Sequence, residues 1–312
     1  MKRGFLRISK ALVLTIFLVS CLQLNGEIRR ETEKSFTAAN GGKLVVDSER
    51  GSISVRTHSN EAIHVKVFYK VRSNDESFAD ELINDFQIDY DENGTDLKIK
   101  AEFGGSLSNS EENKLSVRYV ITVPNEYNVD LKTSGGSISV DELDGKAEAR
   151  TSGGSLDFKF ITGEVTGKTS GGSISLEGCS SNAMVSTSGG GITIGKVKGS
   201  VEASTSGGSI SVEEVYGSID ASTSGGSVSA TIREQPKNNC KLTTSGGSIT
   251  VYISEDIRAN IDAKTSGGSV NSDFPISFRG KLDSSHLKGE INGGGPEIYL
   301  RTSGGGININ SL

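Results

Sequence analysis

The stretch "TSGGSISV", Thr133 to Val140, decides the fold. It joins two adjacent glycines to a strand-like tail, and its first four residues keep returning. Thr-Ser-Gly-Gly begins at Thr133, Thr151, Thr169, Thr187, Thr205, Thr223, Thr244, Thr265 and Thr302. The first five intervals are 18 residues each, followed by two of 21 and one of 37. A fixed period of this size marks a solenoid, because a unit so short buries its apolar side only by stacking on its neighbours. The interval of 37 is close to two periods, and Asp283-Ser284-Ser285 stands where a degenerate copy would begin. The expectation is therefore about ten coils from Thr133 onward.

Counting from the Thr, position 6 is Ile138, Leu156, Ile174, Ile192, Ile210, Val228, Ile249, Val270 and Ile307, and position 8 is Val140, Phe158, Leu176, Ile194, Val212, Ala230 and Val251. Polar residues separate the two columns. Positions 15 and 17, such as Val201 and Ala203, repeat the alternation. Period two is the mark of a strand with one buried face, so each coil holds two short strands. The glycine pairs Gly135-Gly136, Gly153-Gly154, Gly171-Gly172 and Gly207-Gly208 make one corner, and Gly145, Gly163, Gly199 and Gly217 the other. They read as places where the backbone takes positive φ without steric cost. The predicted fold is all-β: a parallel β-solenoid of 18-residue coils, in a rod roughly 45–50 Å long at ~4.8 Å per coil.

Three details follow from the columns. Thr at position 1 shares the inward parity of positions 15 and 17, which predicts a stacked threonine column, partly or wholly inside, with its hydroxyls bonded along the stack. Cys179 and Cys240 occupy apolar columns three coils apart, roughly 14 Å by strand spacing, so they read as small buried hydrophobes rather than a disulfide. The three-residue insertions, in "ATIREQPKNNC" (Ala230–Cys240) and "VYISEDIRANI" (Val251–Ile261), bulge from one side of the stack.

The other half is less regular. Residues 1–20 read as a signal peptide: the basic "MKRGFLRISK" precedes the apolar run Ala11–Val19, too short to span a bilayer. "LVSC", Leu18 to Cys21, has the form of a lipobox and makes Cys21 the expected lipidation site; an ordinary signal peptide cleaved near Gly26 is the alternative. Residues 21–34 read as a tether. Residues 35–130 read as an irregular β-rich cap with one short helix at Glu76–Phe86, capped by Ser73, Asn74 and Asp75, and a hairpin at Asn93-Gly94. The regular solenoid spans 131–312. Within the cap, "GSISVRT" (Gly51–Thr57) is a forerunner of the repeat.

Composition narrows the function. The chain has 312 residues and a net charge of −6, more acidic still without Lys2, Arg3, Arg7 and Lys10. An acidic chain with no basic cluster is a poor nucleic-acid partner, and its expected membrane contact is a lipid anchor only. Three histidines, no metal-type Cys or His spacing and no G-x-S-x-G elbow point to no cofactor, no metal and no enzyme. Acids such as those of "VDELDG" (Val140–Gly145) do not recur in column. The unusual surface is outward positions 5 and 7, a two-column hydroxyl lattice of Ser137, Ser139, Ser173, Ser175, Ser209, Ser211, Ser227 and Ser229. This is the candidate binding face, for a glycan, a cell-wall component or a protein; simple solubility is the competing explanation.

With "GGKLVVDSERGSISV" (Gly41–Val55), "ITVP" (Ile121–Pro124), "VDLKTSGGSISV" (Val129–Val140) and the TSGG coils, roughly residues 35–312 resemble the bacterial "putative-adhesin" β-strand-repeat family, whose molecular function is unknown. The resemblance implies a β-solenoid of the cell envelope or surface and brings no catalytic residues. The expected function is that of a non-enzymatic, adhesin-like surface rod. A periplasm- or wall-facing structural or stress-response factor that binds other proteins is the alternative, and a polysaccharide-active enzyme comes third.

Overall fold

A computed structural model describes residues 26–277 and 284–312. The expected signal peptide and Cys21 lie outside the described residues, as does Asp283. The chain opens with β1 (Ile28–Thr37), β2 (Lys43–Ser48), β3 (Ser52–His58) and β4 (Ala62–Val71). It continues through α1 (Glu76–Asp85), β5 (Phe86–Asn93), β6 (Asp96–Phe103), α2 (Asn109–Glu112) and β7 (Leu115–Pro124). Pairs of short strands follow: β8 (Asn128–Thr133) and β9 (Ile138–Val140), β10 (Ala147–Thr151) and β11 (Leu156–Ile161), β12 (Val165–Lys168) and β13 (Ile174–Cys179), β14 (Ala183–Ser186) and β15 (Ile192–Val197). Next come β16 (Val201–Ser204) and β17 (Ile210–Val215), β18 (Ile219–Ser222) and β19 (Val228–Ile232), β20 (Cys240–Thr243) and β21 (Ile249–Ile253), β22 (Ala259–Thr265) and β23 (Val270–Ser272). The chain ends with β24 (His286–Ile291), β25 (Glu297–Thr302) and β26 (Ile307–Ser311).

These strands form two sheets of 13. The second strand of each pair joins sheet A, with β1, β3, β4 and β7, and the first joins sheet B, with β2, β5, β6 and β24, a Thr-Ser-Gly-Gly corner lying between the two. Pairing within the repeats is parallel and in register with the sequence columns: Ile174 lies opposite Leu156 and Ile192, and Val201 opposite Ala183 and Ile219. The buried columns face one another between the sheets and fill a slim core of Val, Ile, Leu and Ala. Bulk is balanced locally. Phe158 fits because position 17 of its coil is Gly167, where a Cβ would come within 3.2 Å of the ring.

The position 1 threonines are all buried. Each hydroxyl donates to the carbonyl of the second corner glycine on the coil before it in the stack. Thr151 reaches Gly136 at 2.8 Å, Thr187 reaches Gly172 at 2.7 Å and Thr205 reaches Gly190 at 2.8 Å. The column starts at Thr133, bonded to Gly51 at 2.8 Å, so "GSISV" at Gly51 does belong to a full coil. In that coil Ser48 takes the threonine's place, and its hydroxyl lies 2.9 Å from that of buried Tyr119.

The corner glycines correct the expectation of positive φ, which none of the Thr-Ser-Gly-Gly glycines has. What excludes a side chain at the second glycine is the stack itself. A Cβ would stand 2.1 Å from the Gly51 carbonyl at Gly136, 2.2 Å from that of Gly136 at Gly154, and 2.3 Å from that of Gly190 at Gly208. At the opposite corner Gly163 is confined in the same way, 2.3 Å from the Gly145 carbonyl.

Both ends depart from sequence order. At the N-terminal end β6 and β7 stack outside β2 and β3, while β8 and β9 stack on their inner side. At the C-terminal end the coil of β25 and β26 slots between that of β20 and β21 and that of β22 and β23. The threonine bonds follow this order, Thr302 to Gly247 and Thr265 to Gly305, each at 2.6 Å. The degenerate coil expected near Asp283 is therefore corrected: β24 runs antiparallel on the outside of β22. Antiparallel strands also close the other end, β1 on β4 and β5 on β6, which protects edges that would otherwise invite further pairing.

The tether expected through residue 34 gives way to β1 from Ile28 onward, anchored by ten register pairs to β4. Its alternation, polar outward and half-buried inward, is concealed by charge on both faces. Helix α1 is capped by Asp75, whose carboxylate accepts from the Ser77 and Phe78 amides. A second helix absent from the expected cap, α2, is a single turn fixed by a capping box between Ser108 and Glu111.

Candidate functional site

The outward columns of sheet A are continuous along the stack. Register sets Ser54, Ser139, Asp157, Ser175, Thr193, Ser211, Ser229, Thr250, Asn308 and Asn271 in one file at position 7. Only Asp157 in this file carries a charge. Sheet B differs. Its position 16 file reads Asp130, Glu148, Thr166, Met184, Glu202, Asp220, Lys241, Tyr299 and Asp262. Sheet A thus carries a strip of short, mostly uncharged side chains at positions 5 and 7, bordered on the same strands by ion pairs such as Lys159–Glu177 and Lys196–Glu214, whereas the matching file of sheet B is mostly charged.

The two serine columns do not have the same job. At position 5 the hydroxyl accepts the backbone N–H of the next coil: Ser137 from Ser155 at 3.1 Å, Ser155 from Ser173 at 3.2 Å, Ser209 from Ser227 at 3.1 Å, and Ser227 from Ser248 at 3.2 Å. Gly191 interrupts this ladder. Ser137, Ser209 and Ser227 therefore fasten the corner where the strand ladder has not yet begun. Position 7 is freer. Ser139 donates to Ser54 at 3.0 Å, while Ser175 and Ser211 are exposed and point to solvent from the middle of the face. Sequence parity located both columns, but the structural use of position 5 has no sequence signature beyond the recurrence of Ser.

The two long loops meet. Gln235 donates to the Arg258 carbonyl at 3.0 Å and accepts the Arg258 amide at 2.9 Å, so the insertions form one packed ridge. Near the C-terminal end Asp262 is the hub of an ion cluster with Arg301 at 2.7 Å, His286 at 3.2 Å and Lys288 at 3.4 Å. Burial raises the Asp262 pKa, but hydrogen bonds from Arg301 and His286 and the nearby cationic charge outweigh it, so its carboxyl lies below the usual range. The cluster pins β24 and β25 to β22; His286 sits on that antiparallel strand, not in a coil.

Cys179 and Cys240 are free and fully buried, and burial pushes both thiols up. They lie in different sheets. The His58 and His64 rings are tilted against each other with centroids 5.6 Å apart; His64 Nδ1 lies 2.9 Å from the Ser35 hydroxyl, and His58 Nε2 lies 2.8 Å from the Ala62 carbonyl. No group of three or more His, Cys, Asp or Glu is arranged to hold a metal among the described residues. No helix among them is long and apolar enough to cross a membrane. Sequence reading passed over one further feature, a basic trough on sheet A at its N-terminal end. Its available signals were the outward Phe68 and Lys70 of "AIHVKVFYKV" and the outward Arg118 of "LSVRYVITVP".

A solenoid with these corners and this cap defines the class, and residues 42–310 match the Toastrack DUF4097 family. The chain belongs to that family. Among curated proteins none matches significantly. Among solved structures, a "putative adhesin" from Bacteroides fragilis is 12% identical at a TM-score of 0.42, over 91% of this chain and 97% of its own. A "putative adhesin" from Parabacteroides merdae is 13% identical at 0.42, over 90% and 96%. A "putative lipid binding protein" from Parabacteroides distasonis is 16% identical at 0.32, over 92% and 97%. At TM-scores this low the three likenesses add nothing to the family assignment.

Proposed function

We propose that the protein is an exported, non-enzymatic rod of the bacterial cell envelope, held by a lipid on Cys21, with the outer face of sheet A as its contact surface. The observation that carries this reading is the contrast between the hydroxyl columns of sheet A and the mostly charged position 16 file of sheet B. A rigid strip of Ser, Thr and Asn hydroxyls and amides, bordered by ion pairs such as Lys159–Glu177, suits a polyhydroxylated partner such as the glycan of the cell wall. Its side chains are short, so ordering them on contact costs little entropy. Repetition at one coil spacing offers many weak, equivalent contacts, and avidity grows with the number engaged.

Protease treatment of intact cells, comparing wild type with Cys21→Ala, tests the location. Cleavage of the wild type on intact cells, with Cys21→Ala lost from the envelope fraction, is the expected result. Protection of the wild type until the envelope is broken would place the rod inside the envelope and end the surface reading. Retention of Cys21→Ala in the envelope would end the lipid-anchor reading.

A further inference from the structure

The outer face of sheet A changes character at its N-terminal end. There β1, β4, β7 and β3 lie side by side. Their register sets Glu31, Phe68, Arg118 and Ser52 in one row, and Arg29, Lys70 and Ser116 in the next. These side chains line a trough of about 600 Å³. That volume falls among those of small-ligand sites, ~300–1,000 Å³. In a chain with a net charge of −6, the trough gathers four cations, with Arg30 as the fourth, against the single carboxylate Glu31.

Most of these cations are already engaged. Glu27 lies 2.6 Å from the Lys70 ammonium and 3.4 Å from the Arg29 guanidinium, and Arg30 pairs with Glu76 and Asp80. Arg118 differs. It is exposed, and its guanidinium lies 4.7 Å from the centre of the Phe68 ring. Among the described residues no carboxylate is within ion-pair distance of it. A guanidinium held over a ring keeps N–H groups free to donate, and its fork matches a carboxylate in two parallel hydrogen bonds. Ser52, opposite Arg118 in the register, and Ser116, two residues before it on the same strand, line the same trough, and Ser54, two residues on from Ser52, opens the position 7 file of sheet A.

We propose that this trough binds a carboxylate-bearing glycan, with Arg118 receiving the carboxylate and Ser52 and Ser116 meeting neighbouring hydroxyls. The preference for an anion follows from the trough alone. The choice of a glycan rests on the reading of sheet A given above, since the trough opens onto the hydroxyl columns that a sugar chain would follow.

Isothermal titration of the purified protein with a galacturonate hexamer, and with a neutral glucose hexamer of equal length, tests it. The acidic hexamer is expected to bind, more weakly as salt rises from low to physiological. Arg118→Ala should weaken binding roughly tenfold or more, and Arg118→Lys should restore only part of it, because the point charge remains and the fork is lost. Lys70→Gln provides a second variant should Arg118→Ala shift the melting temperature, and it should also weaken binding. Arg150→Ala, on the outer face of sheet B, should leave binding unchanged. Undiminished affinity in both Arg118→Ala and Lys70→Gln would overturn the assignment, as would equal affinity for the neutral hexamer. Binding to vesicles of anionic phospholipid, with none to the acidic hexamer, would overturn the glycan choice. Galacturonate binding that survives Ser175→Gln with Ser211→Gln supports the trough even if the sheet A face binds no cell-wall glycan, so the two readings fail separately.

Discussion

Substituting a corner glycine should be costly where it is caught between coils and harmless where it is not. At Gly136 an added Cβ would lie 2.1 Å from the carbonyl of Gly51, and at Gly208 it would lie 2.3 Å from that of Gly190. At Gly135 it would meet nothing within 4 Å. Real Cβ contacts essentially stop at 3.0 Å, so Gly208→Ala must push two coils apart by about 0.7 Å or tilt the corner. That movement strains the Thr205 hydroxyl bond to Gly190, 2.8 Å, and the Gly208 carbonyl bond from Thr223, 2.7 Å. Overpacking of this kind costs about 1–3 kcal/mol. Weakening one buried hydroxyl bond adds about 1 kcal/mol. A loss of about 2–4 kcal/mol for Gly208→Ala corresponds to a melting temperature lower by roughly 3–6 °C in a chain of this size. Gly135→Ala should melt within about 1 °C of wild type, or slightly above it, since replacing glycine at an unstrained site lowers the entropy of the unfolded chain. Far-ultraviolet circular dichroism follows the transition, because the chain has no tryptophan. Equal melting of Gly208→Ala and Gly135→Ala would refute the close-approach explanation of the repeat.

Thr205→Val keeps the shape but leaves the Gly190 carbonyl without its hydroxyl donor. It should lower stability by about 1–3 kcal/mol in urea denaturation, while Thr205→Ser should retain most of the bond. The depressed pKa of Asp262 makes the carboxylate form favour the folded state. Its contribution is full above the ordinary Asp value of about 3.9 and is lost as pH falls through the lower folded value. Asp262→Asn should therefore destabilise at neutral pH and flatten the acid limb of the melting profile, and an unchanged acid limb would contradict the ion cluster's role. Cys179 and Cys240, both buried with raised pKa, should resist alkylation in the native protein and react together on unfolding; rapid reaction of either would mean that its coil opens locally.

The columns were legible because a period-two strand with one buried face fixes its own register, and each coil repeats the same constraint. Ile210 and Cys179 could be placed from sequence alone, and the structure puts both in the core. Stacking order at the ends was not legible. The coils that begin at Thr265 and Thr302 carry the same Thr-Ser-Gly-Gly corner, and the clearest inward difference, Ser272 where the other coil has Ile309, does not by itself say which lies outermost. That order depends on the antiparallel β24 covering β22 and on the ion cluster at Asp262, both long-range. The reason for the glycines was hidden for a similar cause: close approach between coils and positive φ leave the same residue in the sequence. The candidate face was readable as parity, but the division between structural serines at position 5 and free serines at position 7 needed the neighbouring coil. The trough was obscured because its cations come from three separate strands, with no run of basic residues to mark it.

The most direct test of the proposed contact surface is cosedimentation of the purified protein with isolated cell-wall sacculi, using matched substitutions on the two faces. Ser175→Gln with Ser211→Gln lengthens side chains on sheet A without adding charge; Ser186→Gln with Ser222→Gln does the same on sheet B. If the hydroxyl strip of sheet A is the contact surface, the first pair abolishes most of the binding and the second leaves it intact. Equal binding by the two variants, whether both retained or both lost, would contradict it.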